Sequence, residues 1–280
     1  MLTAYDTWWS VVVAALLVVI AWALLWSVPA VALRRNDLAD VAWGLTFPML
    51  ALVTGGLIVG FDVVDHTRAT VALGISIAWG VRLAVHIGDR WRSHAEEDRR
   101  YAAMRAGWGS GVAAAFRSIT RVFLLQSLLV VIVAQPLLLA ATVHVGRSTL
   151  GWLDYVGIVI ALAGLLLEVT ADRQLRQFLA RKRAGDEAGY LMRGVWSWSR
   201  HPNYAGDAIL WIGLGVLGIA AALDADARWL IIPAAIGPVV MFVLLRYVSG
   251  VPLAERGRAG ADWDAYVERT SSFFPWRTPR

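Results

Sequence analysis

Long apolar stretches separated by short polar segments recur along the whole chain. A helix needs about 20 residues to cross the hydrocarbon core of a bilayer, and each stretch is close to that length. The pattern therefore predicts an all-α, multi-pass membrane protein with about seven transmembrane helices. The predicted spans are 8–33, 38–60, 69–87, 122–145, 151–171, 202–222 and 229–248.

Composition agrees with a bilayer as the solvent of this chain. Of its 280 residues, 58% are hydrophobic, which is more apolar surface than one soluble core of this length hides. The chain has no cysteine, which excludes disulfides, thiolate metal sites and a cysteine nucleophile. The sequence indicates no metal site and no internal repeat, so we expect one membrane domain over 1–280.

The distribution of arginine predicts the orientation of the helices. Basic residues collect in the polar segments after the first, third, fifth and seventh spans, whereas the other loops together hold three arginines. Because positive charge accumulates on the cytoplasmic side, we expect the N-terminus outside and the C-terminus in the cytoplasm of a cell membrane. This orientation explains the net charge of +5 better than a nucleic-acid partner does.

Segment 200–207, with the sequence R-H-P-N-Y-A-G-D, joins a cytoplasmic loop to the sixth span. Pro202 suits the first turn of a helix, where its missing N–H costs nothing. The free N–H groups of that turn attract an anion, and Arg200 and His201 would add donors. The alternative is that Arg200, His201 and Trp198 anchor the helix at the lipid headgroups.

Polar side chains with a four-residue spacing mark two helix faces near the same membrane boundary. Asn203 and Asp207 share one face of the sixth span. Glu168, Asp172 and Arg176 share one face where the fifth span ends. An interfacial helix with internal ion pairs and a cofactor-binding helix both explain the second set, and the two roles are compatible.

Asp40 and His86 are the candidate catalytic residues. Arg82 and His86 lie one turn apart at the inner end of the third span, and Asp40 enters the second span from the same side. An intramembrane arginine normally faces protein or a water-filled cavity, so one interpretation is a structural ion pair between Arg82 and Asp40. In the other, Asp40 and His86 belong to a substrate pocket in which His86 donates a proton.

Segment 200–207 resembles the R-H-P-N-Y-x-G-E motif of an uncharacterised bacterial family that is grouped with the steroid 5-alpha-reductases. Asp207 stands where that family usually has glutamate. The resemblance runs from about residue 36 to 277. Further similar segments are 40–44, 79–83, 97–101, 168–178, 249–255 and 266–276.

The resemblance implies a helical membrane reductase whose NADPH enters from the cytoplasm and lies among the C-terminal helices, about 151–277. In characterised relatives of that family, the asparagine and the acid of the motif line the cofactor pocket, and an arginine and a tyrosine near the inner end of the last span contribute. In steroid reductases an acid on an early helix lies beside the substrate carbonyl, and Asp40 matches it by position. The full set of candidate cofactor residues is Asn203, Asp207, Arg200, His201, Tyr204, Asp172, Arg173, Arg246 and Tyr247.

These features favour an NADPH-dependent reductase of a hydrophobic, steroid- or lipid-like enone, in which the cofactor carries the chemistry. The alternative is a membrane methyltransferase, because isoprenylcysteine and phospholipid methyltransferases share R-H-P-x-Y-x-G and bind S-adenosylmethionine. Glu255 and Tyr266 would then match the tail of those enzymes, although the tail has paired glutamates and this chain offers one. A transporter or scaffold is the third hypothesis, disfavoured because the polar residues gather at the inner helix ends. The expected partners are a lipid-like substrate and membrane lipids, and nothing indicates the oligomeric state.

Overall fold

The computed structural model describes residues 4–60, 67–143 and 149–274. Within those ranges the regular elements are helices, and the one β-type contact is an isolated parallel bridge between Ser199 and Ser271. The all-α prediction is therefore confirmed. The α-helices are α1 (Ala4–Leu33), α2 (Leu38–Gly60), α3 (Thr67–Arg92), α4 (Arg99–Ala106), α5 (Gly111–Ser118), α6 (Leu125–Val133), α7 (Gln135–Thr142), α8 (Trp152–Ala184), α9 (Pro202–Asp224), α10 (Ile231–Val243), α11 (Val251–Glu255) and α12 (Ala261–Arg269).

Seven helical segments in the described part of the chain are long and apolar enough to cross a membrane, which confirms the multi-pass prediction. Their orientation stays a prediction, as does the identity of the membrane. The seven segments are Trp8–Leu33, Leu38–Val59, Thr67–Arg92, Gly111–Val133, Trp152–Ala184, Pro202–Asp224 and Arg228–Glu255.

The fourth span begins earlier than the sequence predicts. The prediction was 122–145, whereas the structure is helical from Gly111 to Val133, including a π-helical segment at Ile119–Leu124. The sequence did not reveal this start because the charged residue Arg117 interrupts the apolar run. The side chain of Arg117 has a partner within the protein, since it donates to the carbonyl of Trp108 at 2.5 Å. The predicted end at 145 lies outside the described residues.

A break at Ala134 separates α6 from α7, and it lies beside Pro136. A proline inside a helix removes one backbone hydrogen bond, and its ring clashes with the carbonyl four residues earlier. The chain accommodates the ring by ending α6 at Val133 and starting α7 at Gln135, so that Pro136 lies in the first turn. The proline thus divides this part of the chain into two helices.

The chain forms two compact units, each of which combines distant parts of the sequence. The first unit is Met1–Asp154 with Leu217–Gly237, and the second is Tyr155–Val216 with Pro238–Arg280. The single membrane domain that the sequence predicts over 1–280 stays a prediction.

In the first unit, the backbones of α2 and α3 approach each other closely, with no side chain between them at Gly80. A Cβ atom added at Gly80 would lie 2.7 Å from the carbonyl oxygen of Gly44 and 2.4 Å from Cδ of Pro48. The rings of Phe47 and Trp79, both buried, lie 5.0 Å apart across the same contact. Glycine therefore permits the approach that brings the polar ends of α2 and α3 together.

In the second unit, α8 and α9 make a similar glycine-mediated contact. A Cβ atom at Gly206 would lie 2.6 Å from the backbone nitrogen of Glu168, and one at Gly164 would lie 2.3 Å from that of Leu210. Such distances leave no room for a side chain. This close packing determines where the polar residues at the start of α9 meet those on α8.

Candidate functional site

Helix α9 begins at Pro202, as the sequence predicts, with His201 as the residue that precedes its first turn. The carbonyl of His201 accepts from the backbone N–H of Ala205 at 3.1 Å. The backbone N–H of His201 donates to Oγ of Ser199 at 3.0 Å. Proline fits here because the backbone N–H of the first helical residue has no partner within the helix.

The turn before α9, Gly194–Ser197, is fastened to α8. The backbone N–H of Val195 donates to Oε1 of Gln174 at 3.1 Å, and the indole N–H of Trp196 donates to the carbonyl of Ala171 at 3.0 Å. Gly194 has φ +60°, a conformation that favours glycine, and a Cβ there would lie 2.5 Å from the Gln174 amide. These contacts hold the R-H-P segment against α8.

Arg200 is buried and connects the start of α9 to the C-terminal segment. Its Nε donates to Oε1 of Glu255 at 2.9 Å, and its Nη1 donates to the carbonyl of Thr270. Its guanidinium also lies over the ring of Trp263, at 5.7 Å from the centroid. The backbone N–H of Arg200 donates to the carbonyl of Ser271 at 2.8 Å. The N–H groups of Arg200 therefore bind residues of the C-terminal segment of this chain.

His201 joins the same cluster. Its Nε2 lies 2.8 Å from Oε1 of Glu255, and its ring stacks on Tyr204 with centroids 5.3 Å apart. Burial lowers the pKa of His201, and the hydrogen bond to Glu255 opposes that shift only in part. The lowered pKa favours the neutral imidazole, and its Nε2 donates to the Glu255 carboxylate. The cofactor-binding role of Arg200, His201 and Tyr204 stays a prediction.

A buried cluster of polar side chains lies where α8 meets α9. Nδ2 of Asn203 donates to Oδ1 of Asp172 at 3.2 Å. Asp207 lies one turn further along α9, and Glu168 lies one turn earlier on α8. Glu168, Asp172 and Asp207 are exposed by only 3%, 3% and 7%. The sequence placed three of the four in the cofactor set, and the four-residue spacing before Asp172 was the signal for the fourth, Glu168.

One acceptor atom of Asn203 has no donor among the described residues. Its Oδ1 atom is buried and accepts no hydrogen bond from any residue in the described ranges. A buried amide oxygen without a donor is costly, which makes it a ready acceptor for a hydroxyl or amide of a bound molecule. The adjoining carboxylates also accept, so the cluster suits a ligand that presents several hydroxyl or amino groups.

The remaining cofactor candidates are two arginines and a tyrosine, which lie at the surface of the second unit or partly buried in it. Arg173 and Tyr247 are exposed and Arg246 is half-buried. Arg246 and Tyr247 lie in the π-helical segment Leu244–Val248, and the guanidinium of Arg246 lies 5.0 Å from the centroid of the Tyr247 ring. π-Helical turns often occur at functional sites. Among described residues, neither Arg173 nor Arg246 has an ion-pair partner, so both are available to an anion.

In the first unit, Asp40 is held by Arg100 and Tyr101 instead of Arg82. Tyr101 donates its hydroxyl to Oδ1 of Asp40 at 2.5 Å, and Nη2 of Arg100 donates to Oδ2 at 2.8 Å. Nε2 of Gln126 donates to the Tyr101 oxygen at 3.3 Å. Burial, reinforced by the Asp40 charge, raises the pKa of Tyr101 well above its usual value.

His86, the other catalytic candidate, is half-buried on α3 and is not a hydrogen-bond partner of Asp40. The structure thus connects Asp40 to two residues of the 97–101 motif, to which the sequence assigned no role. Four-residue spacing could not reveal them, because about 60 residues separate Asp40 from Arg100 and Tyr101. Within the described residues, no three His, Asp or Glu side chains are placed to hold a metal ion.

Comparison with known proteins identifies the family of this chain. The family model of DUF1295, described as proteins of unknown function, matches residues 25–270. No curated protein and no solved structure matches the chain. The matched range contains every candidate residue from Asp40 to Tyr247, whereas Pro275 and Trp276 of the last similar segment lie outside both that range and the described residues. Because the match covers most of the 280 residues, the chain belongs to the DUF1295 family.

Proposed function

We propose that this protein is a membrane-embedded, NADPH-dependent reductase of a hydrophobic, steroid- or lipid-like enone. The observation that carries the proposal is the polar cluster of half-buried Asn203 with the buried acids Asp172, Asp207 and Glu168, in which the buried amide oxygen of Asn203 lacks a donor among described residues. Its four residues lie in two of the segments, 168–178 and 200–207, through which the chain resembles the steroid 5-alpha-reductase-like proteins.

The side chains of the second unit fit the polar parts of a dinucleotide. The Asn203 oxygen and the neighbouring carboxylates accept hydrogen bonds, which suits ribose hydroxyls or an amide N–H group. Arginine pairs well with phosphates, and Arg173 and Arg246 have guanidinium groups without ion-pair partners in the described chain. When bound, NADPH supplies the hydride that reduces the C=C bond. The residues of the chain bind the cofactor and orient it toward the substrate.

The proposed reaction also needs a group that polarises the substrate carbonyl, and we assign this role to Tyr101. Its hydroxyl is held by Asp40, and its raised pKa keeps it protonated near neutral pH. The phenol has one hydrogen, which it donates to Asp40 in this structure, so in the reaction it would turn that hydrogen from Asp40 to the developing enolate oxygen while Arg100 stays paired with Asp40. The α-carbon would then take a proton from water. Asp40, which accepts from both Tyr101 and Arg100, is a positioning residue in this scheme.

An S-adenosylmethionine-dependent methyltransferase is the second candidate, and one observation favours it. Glu255 meets Arg200 and His201, and the charges of Arg200 and Glu255 both act on Tyr266. The residues that resemble a methyltransferase tail therefore lie together. Against this candidate, the single acid Glu255 is already held by two partners from the R-H-P segment.

Thermal stabilisation of the detergent-purified protein by each cofactor separates these functions. A ligand that binds only the folded state raises the melting temperature, so NADPH should stabilise the protein and S-adenosylmethionine should not. Asn203→Ala and Asp207→Ala should each weaken NADPH binding about tenfold or more, which corresponds to ~1.4 kcal/mol. Stabilisation by S-adenosylmethionine alone would refute the reductase proposal.

Two control variants distinguish a lost ligand contact from a lost fold. Asp186→Ala changes an exposed acid of the second unit and should leave NADPH binding unchanged. Asp207→Glu introduces the residue that the similar family usually has, and it should retain binding. If both alanine variants bind NADPH as the wild type does, Asn203 and Asp207 do not belong to the site.

A further inference from the structure

A polar cavity of about 560 Å³ lies in the first unit, and none of the residues assigned to the cofactor lines it. Its wall is formed by residues of segment 35–40, which leads into α2, and of segment 87–99, which runs from the end of α3 to the start of α4. Ile87, Trp91 and Ala95 contribute apolar surface to the wall. The volume is within the range of small-molecule sites.

Most of the charged groups on this wall are already paired. Trp91 donates its indole N–H to Asp37 at 3.2 Å, and the backbone N–H of Asn36 donates to Glu97 at 2.7 Å. Four of the five acids on the wall each bind a guanidinium group. The pairs are Asp37 with Arg35, Asp40 and Asp98 with Arg100, and Glu97 with Arg105.

Two cations on the wall are left over. The side chains of Arg90 and Arg99 are exposed and make no hydrogen bond or ion pair within residues 4–60, 67–143 and 149–274. Glu96, which is also exposed, is the one wall acid without an ion-pair partner in those ranges. Three side chains on the wall therefore have no ion-pair partner in those ranges, two of them positive and one negative, whereas Arg100 is shared between Asp40 and Asp98. Two guanidinium groups around one cavity suit a phosphate, whose oxygens accept bidentate hydrogen bonds.

We propose that this cavity binds a phosphate group, with Arg90 and Arg99 as its ligands. The cavity lies at the ends of α2 and α3, two helices long enough to span a membrane, and part of its wall is apolar. A phosphate in a lipid headgroup and a free phosphate ion present the same chemistry at such a boundary. Basic pockets between transmembrane helices bind lipid headgroups in this way.

The test measures thermal stabilisation of the full-length protein in detergent by two probes. The probes are dihexanoyl-phosphatidylglycerol and inorganic phosphate, each compared with sodium chloride at equal ionic strength because salt screens exposed charges. Stabilisation by the lipid alone assigns the site to headgroups, and stabilisation by inorganic phosphate assigns it to the free ion. If neither probe stabilises the protein beyond the chloride control, the proposal is wrong.

Matched variants locate the binding. The double variant Arg90→Gln, Arg99→Gln should bind the active probe about tenfold or more weakly. Arg92→Gln is the control, because Arg92 is 78% exposed, pairs with Asp89 and does not line the cavity. Equal losses in the double variant and in Arg92→Gln would contradict the assignment.

Glu96→Gln gives an independent test with the opposite sign. It removes the unpaired negative charge from the wall, so it should strengthen binding of the active probe several-fold. This variant decides the question even if the double variant fails to fold, because Glu96 is exposed and holds no hydrogen bond in the described structure. Unchanged or weaker binding in Glu96→Gln would count against the cavity.

Discussion

Tyr266 shows how one side chain in the C-terminal segment depends on its surroundings. Its hydroxyl donates to the carbonyl of Leu191 at 3.4 Å, and its ring stacks on Tyr190 with centroids 4.9 Å apart. Burial raises the pKa of Tyr266 to about 12, although the nearby charges of Arg200 and Arg258 oppose the shift. The folded protein therefore favours the protonated phenol more than the unfolded chain does.

This shift predicts a loss of stability at alkaline pH. A phenol whose pKa rises from about 10 to about 12 on folding contributes stability that is fully present below pH 10 and is lost as the pH rises through 12. The contribution is at most about 3 kcal/mol. Melting temperatures of the wild type and Tyr266→Phe should run parallel below about pH 10, and above it that of the wild type should fall relative to that of the variant. Parallel profiles up to about pH 12 would contradict the prediction.

At the same scale, the sequence located the candidate residues better than it located their partners. Asn203 and Asp207 could be placed on one face because the periodicity of a helix is local. The carboxylate that receives Asn203, and the tail acid that receives Arg200, lie 31 and 55 residues away along the chain. Residue spacing carries no information about such contacts. Only the structure therefore shows that Arg200 connects the start of α9 to the C-terminal segment.

At the scale of elements, the contact between α8 and α9 positions the polar cluster. Helices that approach through glycine bring their backbones closer than side chains allow, and this is common between transmembrane helices. Gly164 and Gly206 have this role here, since a Cβ at either would collide with the backbone of the other helix. Glu168 and Asp172 are therefore held beside the start of α9.

Gly206→Ala should consequently both destabilise the protein and weaken cofactor binding. Its new Cβ would lie 2.6 Å from the Glu168 nitrogen, and overpacking of this kind costs about 1–3 kcal/mol. The melting temperature should fall, together with the stabilisation by NADPH. Gly88→Ala is the control, because no atom lies within 4 Å of a Cβ at Gly88, and alanine favours a helix. Equal stability of the two variants would refute this account of the contact.

At the scale of the whole molecule, the orientation predicted from arginine is open to direct measurement. The chain has no cysteine, so each introduced cysteine is the single labelling site. Trp152 is the first residue of α8, and Asp186 lies two residues beyond its last residue, Ala184. Both Trp152 and Asp186 are exposed. In intact cells, a membrane-impermeant maleimide should label Trp152→Cys and spare Asp186→Cys. In inside-out vesicles the pattern should reverse, and labelling of Asp186→Cys in intact cells would overturn the orientation.

The sequence by itself determined the number of membrane-spanning helices, the start of α9 at Pro202 and the helix faces that carry the polar residues. These features depend on segment length, local hydropathy and the helical repeat, all of which are written in neighbouring residues. The tertiary structure alone decided that Asp40 binds Arg100 and Tyr101, that Glu255 receives Arg200 and His201, and that two arginines are left unpaired around one cavity. Each of these results depends on which distant side chains packing brings into contact, and the one-dimensional pattern of the chain does not encode that choice.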